Sequence, residues 1–218
     1  MGLAFEDRWI WDFWLVRDGA DHHLFYLQAS TDIGHPDKRH WNASIGHAVS
    51  RDLMRWETLP DALSPGPRGT WDAASTWTGS VIGREGRWFL LYTGTSGADG
   101  GLVQRIGLAV SDDLVRWRRH ERPVLEADPR WYETLDCRAW HDQAWRDPWV
   151  FMHPDDGQFH VLAADRNGST YAGKLHQTTD GTIVFLAWHR RRPGGDFHGA
   201  LSDPRPVEVG PDGALRVR

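Results

Sequence analysis

The sequence predicts an all-β fold assembled from a repeated multi-stranded unit in the manner of a β-propeller, with too few units to complete the ring. Three observations carry this. Apolar runs of strand length recur between clusters of Gly, Asp and Pro, and no segment sustains the 3.6-residue period of an amphipathic helix. The segment "IGHAVSRDLMRW" at 45–56 returns 61 residues later as "IGLAVSDDLVRW" at 106–117, identical at most positions. A sandwich would give short strands but no reason for a near-identical turn at fixed spacing, whereas multi-stranded repeats on this scale are propeller blades. Finally, a third unit opens with "WRDPWVFMHPDDGQFHVLAAD" at 145–165 but is not followed by a third Ser-x-Asp-Leu-x-x-Trp. The count is about two and a half blades plus closing strands: one truncated domain over 1–218, with the first blades in 1–166 and a closing segment in 167–218.

The first element is "WIWDFWLV" at 9–16. Strict alternation puts Trp9, Trp11, Phe13 and Leu15 on one face and Ile10, Asp12, Trp14 and Val16 on the other. Both faces are apolar, so the strand should be buried on both. Asp12 therefore needs a partner or a purpose, because an unpaired buried carboxylate is costly. Backbone N–H groups could satisfy it as a structural residue; catalysis or ligand binding is the other reading. "HLFYLQAS" at 23–30 supplies the next strand. In the repeated signature Ser50 and Ser111 are placed to cap a single turn, and Leu53 with Trp56, like Leu114 with Trp117, share a face of it.

The second unit opens near "WTGS", Trp77 to Ser80, where Gly79 would let backbone approach a ligand closely. The third opens at "AWRDPWVF". Pro148 biases Asp147 toward an extended conformation, and Arg146 would keep Asp147 ionised if the two pair. A salt-bridged strand entry is the plainer reading of that triplet. Residues 9–16, 78–82 and 148–152 are expected to lead successive blades. The innermost strand of each blade faces the central funnel, so Asp12 and Asp147 could converge there. Two carboxylates in an aromatic funnel are what glycoside hydrolysis requires: one attacks or stabilises the oxocarbenium-like centre, while another carboxyl group protonates the leaving oxygen.

Composition narrows the alternatives. The chain of 218 residues is 40% hydrophobic and 25% charged with a net charge of −5, which gives no basis for attraction to nucleic acid or an anionic membrane. The only basic cluster, His189 to Arg192, reads as a solvated strand end. A single cysteine, Cys137, excludes an intramolecular disulfide and suits a reducing compartment. The start MGLAFEDRW lacks the charged and apolar regions of a signal peptide, Glu6 stands where myristoylation prefers Ser or Thr, and no apolar run reaches membrane length. A cytoplasmic location is the expectation. The 12 histidines show no zinc-type spacing, and neither a nucleotide-binding glycine pattern nor a nucleophile elbow is present, so no metal or other cofactor is expected. The 14 tryptophans fit either a packed aromatic core or the stacking of sugar rings. Open sheet edges in a truncated propeller would invite self-association.

Taken in order, Trp-x-x-Asp near the start, HLFY, GHAVSxDLxxW, WTGS and WRDP resemble glycoside hydrolase family 32, the invertase, fructanase and levansucrase group of five-bladed β-propellers. The resemblance runs from residue 1 to about 166, and "GTIVFLAW" with "GALSDPRPVEVGPDGALRV" is similar to the end of that propeller. It implies that Asp12 is the nucleophile of a retaining β-fructofuranosidase-like reaction, that Asp147 stabilises the transition state, that Arg146 contacts the sugar, and that Trp9, Trp77 and Ser80 line the substrate site. Three departures accompany it. The family's Trp-x-Asn-Asp-Pro reads Trp9-Ile10-Trp11-Asp12-Phe13, and Leu27 intervenes between HLFY and Gln28. The acid/base glutamate should follow the Arg-Asp-Pro strand, but "ADRNGSTY" at 164–171 holds none, and Glu208 in the closing segment does not correspond to it. The sequence thus points to a fructoside-acting glycosidase with an incomplete catalytic apparatus, or to a non-catalytic sugar-binding or assembly module descended from one. An interaction propeller of WD-repeat type gives no reason for carboxylates at strand mouths.

Overall fold

A computed structural model describes residues 3–130, 132, 134–137, 141–152 and 158–164, together with the backbone of 174–180, 183–186, 188–191, 197–201, 204–209 and 215–217. Strands dominate it. The first sheet is a four-stranded antiparallel meander, β1 (Arg8–Asp18), β2 (Asp21–Ser30), β3 (Ser44–Ser50) and β4 (Glu57–Leu63). The second repeats it as β5 (Ser75–Arg84), β6 (Arg87–Thr95), β7 (Arg105–Ser111) and β8 (Arg118–Arg119). The third has two described strands, β9 (Arg146–Met152) and β10 (Phe159–Ala164). The closing segment forms β11 (Lys174–Gln177), β12 (Ile183–Leu186), β13 (Trp188–Arg191), β14 (Phe197–Leu201), β15 (Arg205–Val209) and β16 (Leu215–Val217). Of these, β11, β12, β15 and β16 make one sheet and β13 with β14 a separate hairpin. This is an incomplete β-propeller. No described helix is long and apolar enough to cross a membrane.

As the sequence predicts, β1, β5 and β9 each lead a sheet. They are neighbours in space, β1 beside β5 and β5 beside β9, and the β13–β14 hairpin returns against β1. Burial of β1 on both faces also holds: Ile10, Trp11, Phe13 and Trp14 are all nearly inaccessible. The predicted alternation does not hold along its whole length. Trp11 packs with Trp14 and Val16 between the first and second sheets, while Ile10 packs with Phe13 and Leu15 in a separate cluster with Leu24 and Tyr26. The cause is a bulge between Trp11 and Phe13, which pair with Leu27 and Tyr26 and leave Asp12 unopposed. One extra residue resets the two-residue period, so the side chains beyond it exchange faces.

The repeated signature forms the same bend in both sheets. Ser50 Oγ accepts from the backbone N–H of Asp52 and Leu53, and Ser111 Oγ from that of Asp113. Asp52 then accepts from the Met54 and Arg55 N–H groups and Asp113 from those of Val115 and Arg116, which holds both carboxyls below their ordinary value. The turn is not helical: Leu53 and Leu114 lie at φ 59° and 63°. A left-handed leucine costs about 1–2 kcal/mol, which burial of each side chain, at 2% and 0% exposure, offsets. Trp56 and Trp117 pack beside these leucines as expected.

Candidate active site

Each leading strand carries a bulge at the same place. In β1 the unopposed residue is Asp12. In β5, Trp77 pairs with Thr93 and Gly79 with Tyr92, leaving Thr78 unopposed. In β9 the register skips between Arg146 and Trp149, so Asp147 and Pro148 together face Ala163. Bulges re-aim side chains and are frequent beside active sites. Asp12 and Asp147 sit at φ 41° and 56°, a region that Asp tolerates better than most residues and that concentrates at functional sites. Asp147 is therefore not extended, contrary to the bias expected from Pro148; the bulge dictates its backbone.

The three bulges are tied together. Thr78 Oγ1 donates to Asp12 Oδ2 at 2.8 Å. Thr93 Oγ1, fully buried on β6, donates to the Thr78 carbonyl at 3.1 Å and accepts from the Asp147 N–H at 2.9 Å. A continuous path of hydrogen bonds thus runs from the Asp12 carboxylate through two threonines to the Asp147 backbone. This answers the question Asp12 raises: a hydroxyl on the neighbouring sheet engages one of its oxygens. Thr78 and Thr93 are the site residues that sequence reasoning misses. The available signal is positional, since Trp77-Thr78-Gly79 occupies in β5 the place of Trp11-Asp12-Phe13 in β1.

The other expected site residues are placed as follows. Arg146 Nη1 lies 3.0 Å from Gln104 Oε1 and 3.4 Å from Asp142 Oδ2, while its Nε is 3.9 Å from Asp147. Its nearer partners are thus Gln104 and Asp142, the latter also receiving a hydrogen bond from Gln104 at 3.0 Å. Trp77 is half-buried; its Nε1 donates to the His40 carbonyl at 2.6 Å and its ring meets those of His40 and Trp41. Trp9 is half-buried opposite Ala29, three residues before Asp12. Ser80 is buried and its Oγ accepts from the Val150 N–H at 3.0 Å, binding β5 to β9. Gly79 answers to a different need from the one expected of it. A Cβ there would lie 2.1 Å from the Leu91 carbonyl oxygen, so the absent side chain serves the bulge's close approach to β6 rather than a ligand.

A sequence profile of the glycosyl hydrolases family 32 N-terminal domain matches residues 14–193. The chain belongs to glycosyl hydrolase family 32. Asp12 lies two residues before the matched span, and Thr78 and Asp147 lie within it. Relatives of this family-32 chain include a β-fructofuranosidase 1 from Zea mays, 37% identical over 139 residues that make up 57% of this chain and 20% of the relative. A sucrose-6-phosphate hydrolase from Zymomonas mobilis is 40% identical over 145 residues, 63% of this chain and 26% of the relative. Among solved structures, fructan 1-exohydrolase IIa from Cichorium intybus superposes with a TM-score of 0.68 at 17% identity, over all of this chain and 60% of that one, a likeness of fold. The chain spans about a fifth to a quarter of the length of these curated relatives. No group of three or more His, Cys, Asp or Glu able to hold a metal ion occurs among the described residues.

Proposed function

We propose that the funnel between β1, β5 and β9 receives the fructosyl unit of a β-fructofuranoside, with catalysis impaired by the lack of a general acid. The observation that carries this is the hydrogen-bonded path joining Asp12, Thr78, Thr93 and Asp147 across three bulged strands. Asp12 is the nucleophile: one carboxylate oxygen attacks the anomeric carbon while the other accepts from Thr78. Asp147 faces the positive charge that develops on the sugar ring, and Arg146, steadied by Gln104 and Asp142, donates to a sugar hydroxyl. Trp9 and Trp77 complete the wall, while the buried Ser80 holds β5 to β9 behind it. The names of relatives that act on sucrose phosphate and fructans support the choice of sugar.

The leaving oxygen departs as an alkoxide unless a proton reaches it. After Asp147 the sequence contains one glutamate, Glu208, on β15 opposite Arg216. General acid assistance contributes about 10²- to 10⁴-fold, most for a poor leaving group. Sucrose should therefore turn over barely, whereas an aryl fructoside, whose phenolate leaves without a proton, should lose far less and depend on Asp12. Assay of the purified chain with both substrates, alongside Asp12→Asn, tests the reading. Vigorous sucrose hydrolysis would show that another carboxyl group supplies the proton. Inertness toward both, with fructose still quenching tryptophan fluorescence, favours the second reading that the missing glutamate supports, a non-catalytic sugar-binding or assembly module.

A further inference from the structure

We infer that the second sheet carries a separate binding site for a neutral oligosaccharide, reached from the funnel along an exposed tryptophan. A cavity of about 390 Å³ opens beside the ends of β6 and β7, lined among others by Thr70, Trp71, Asp99, Arg105, Arg122 and Glu126. That volume falls within the roughly 300–1,000 Å³ of small-ligand clefts.

Its floor is built for an indole. Trp71 stacks on Tyr92 with ring centroids 5.6 Å apart and rests on Gly94 and Gly107. A Cβ at either glycine would come within 2.3–2.4 Å of the Trp71 ring, so any side chain there would expel it. Asp72, next in sequence, anchors the segment by accepting from the Tyr92 and Thr70 hydroxyls at 2.9 and 2.8 Å.

The walls are polar and charge-balanced. Arg105 is held between Asp99 and Glu126, each at 2.9 Å, and Arg122 is exposed at the rim. Two cations against two carboxylates leave no net field to favour a phosphate or an acid. An aromatic surface flanked by planar carboxylate and guanidinium groups suits a sugar ring, whose apolar face stacks while its hydroxyls both donate and accept.

Pairwise contacts lead from the cavity wall back to β5. Asp99 Oδ1 accepts from the Gly101 N–H at 3.1 Å. Gly101 lies against the Trp41 ring so closely that a Cβ there would sit 2.4 Å from it. Trp41, 48% exposed, meets Trp77 with centroids 5.8 Å apart, and Trp77 precedes Thr78, the donor to Asp12. An oligosaccharide whose end enters the funnel would cross Trp41 toward the cavity. That the sugar is a fructan rests on the reading above; the cavity does not.

Isothermal titration with long-chain inulin oligosaccharides and with fructose tests this on the wild-type chain, Arg122→Ala/Glu126→Gln, Trp41→Ala and Asp12→Asn. The substituted cavity side chains are exposed, so urea midpoints should stay close to wild type. Loss of two or three hydrogen bonds and a stacking surface should weaken oligosaccharide binding by about tenfold or more in the first two variants, with fructose unaffected. Oligosaccharide affinity unchanged in both variants would overturn the inference. Absent fructose binding, with oligosaccharide affinity still reduced by the cavity variants, would instead sink the funnel reading and leave the cavity standing.

Discussion

His47 should make the fold acid-labile well above the range where carboxylates titrate. It is fully buried on β3, its ring stacked on that of Phe25 in β2 with centroids 4.4 Å apart and its Nε2 2.9 Å from His23 Nδ1. Burial, and then the neighbouring His23, push its pKa down from 6.5 to about 3. Burial lowers His22 and His23 as well, with Arg17 adding to the effect on His22, Asp18 and Asp21 opposing it on His23, and Asp21 opposing it on His22. The folded chain therefore keeps His47 neutral while the unfolded chain binds a proton below about pH 6.5. The stability gained by neutrality is complete above that pH and is lost as pH falls toward 3. Each pH unit costs about 1.4 kcal/mol per proton, so His47 alone removes roughly 2–3 kcal/mol by pH 4.5. Urea unfolding between pH 7.5 and 4.5 reads this before Asp52 and Asp113, with their lowered pKa values, begin to contribute. The second repeat supplies the control, because Leu108 stands where His47 does. His47→Leu should cost about 1 kcal/mol at pH 7.5, where His23 loses a partner, and should flatten the acid slope by one proton. A wild-type chain equally stable at both pH values, or a variant with an undiminished slope, would refute the reasoning.

Thr78→Val removes the donor to Asp12; a hydrogen bond to a charged group contributes about 1.5–3 kcal/mol, so aryl-fructoside kcat/KM should fall roughly 10- to 100-fold, with Thr78→Ser close to wild type. Gly79→Ala forces a methyl against the Leu91 carbonyl and should lower stability by about 1–3 kcal/mol in urea titration through overpacking alone; an unchanged midpoint would show that the bulge relaxes. The third sheet has two described strands where the first two have four, and Leu162 and Met152 on it are 62% and 59% exposed. Self-association that sedimentation velocity detects, and that Leu162→Lys abolishes, is the expected consequence.

The repeat made the fold legible. Two copies of one turn, each burying a leucine beside a tryptophan, could only be two equal units, and the strands between them followed from apolar runs and breakers. Asp12 was legible because a charge inside an apolar run demands a reason. The bulges were not. A bulge depends on which residue of one strand lacks a partner on another, and alternation within β1 holds no trace of it. Hence the side chains beyond Asp12 exchange faces relative to strict alternation, Asp147 leaves the extended conformation its proline favours, and Gly79 serves the Leu91 carbonyl rather than a ligand. Thr78 carries no such mark, because threonine is an ordinary strand residue and its hydroxyl, unlike a carboxylate, has no charge to desolvate; only its equivalence to Asp12 and Asp147 in the leading strands singles it out.

Asp12, Thr78 and Asp147 should bound one sugar site, and amide NMR of the labelled chain during a fructose titration reads this directly. The Asp12, Thr78 and Asp147 amides are expected to shift together along a single binding curve, with Asp12→Asn weakening the response of all three. Fructose that binds while these amides stay still, or that moves Asp12 and Asp147 with different affinities, would contradict it.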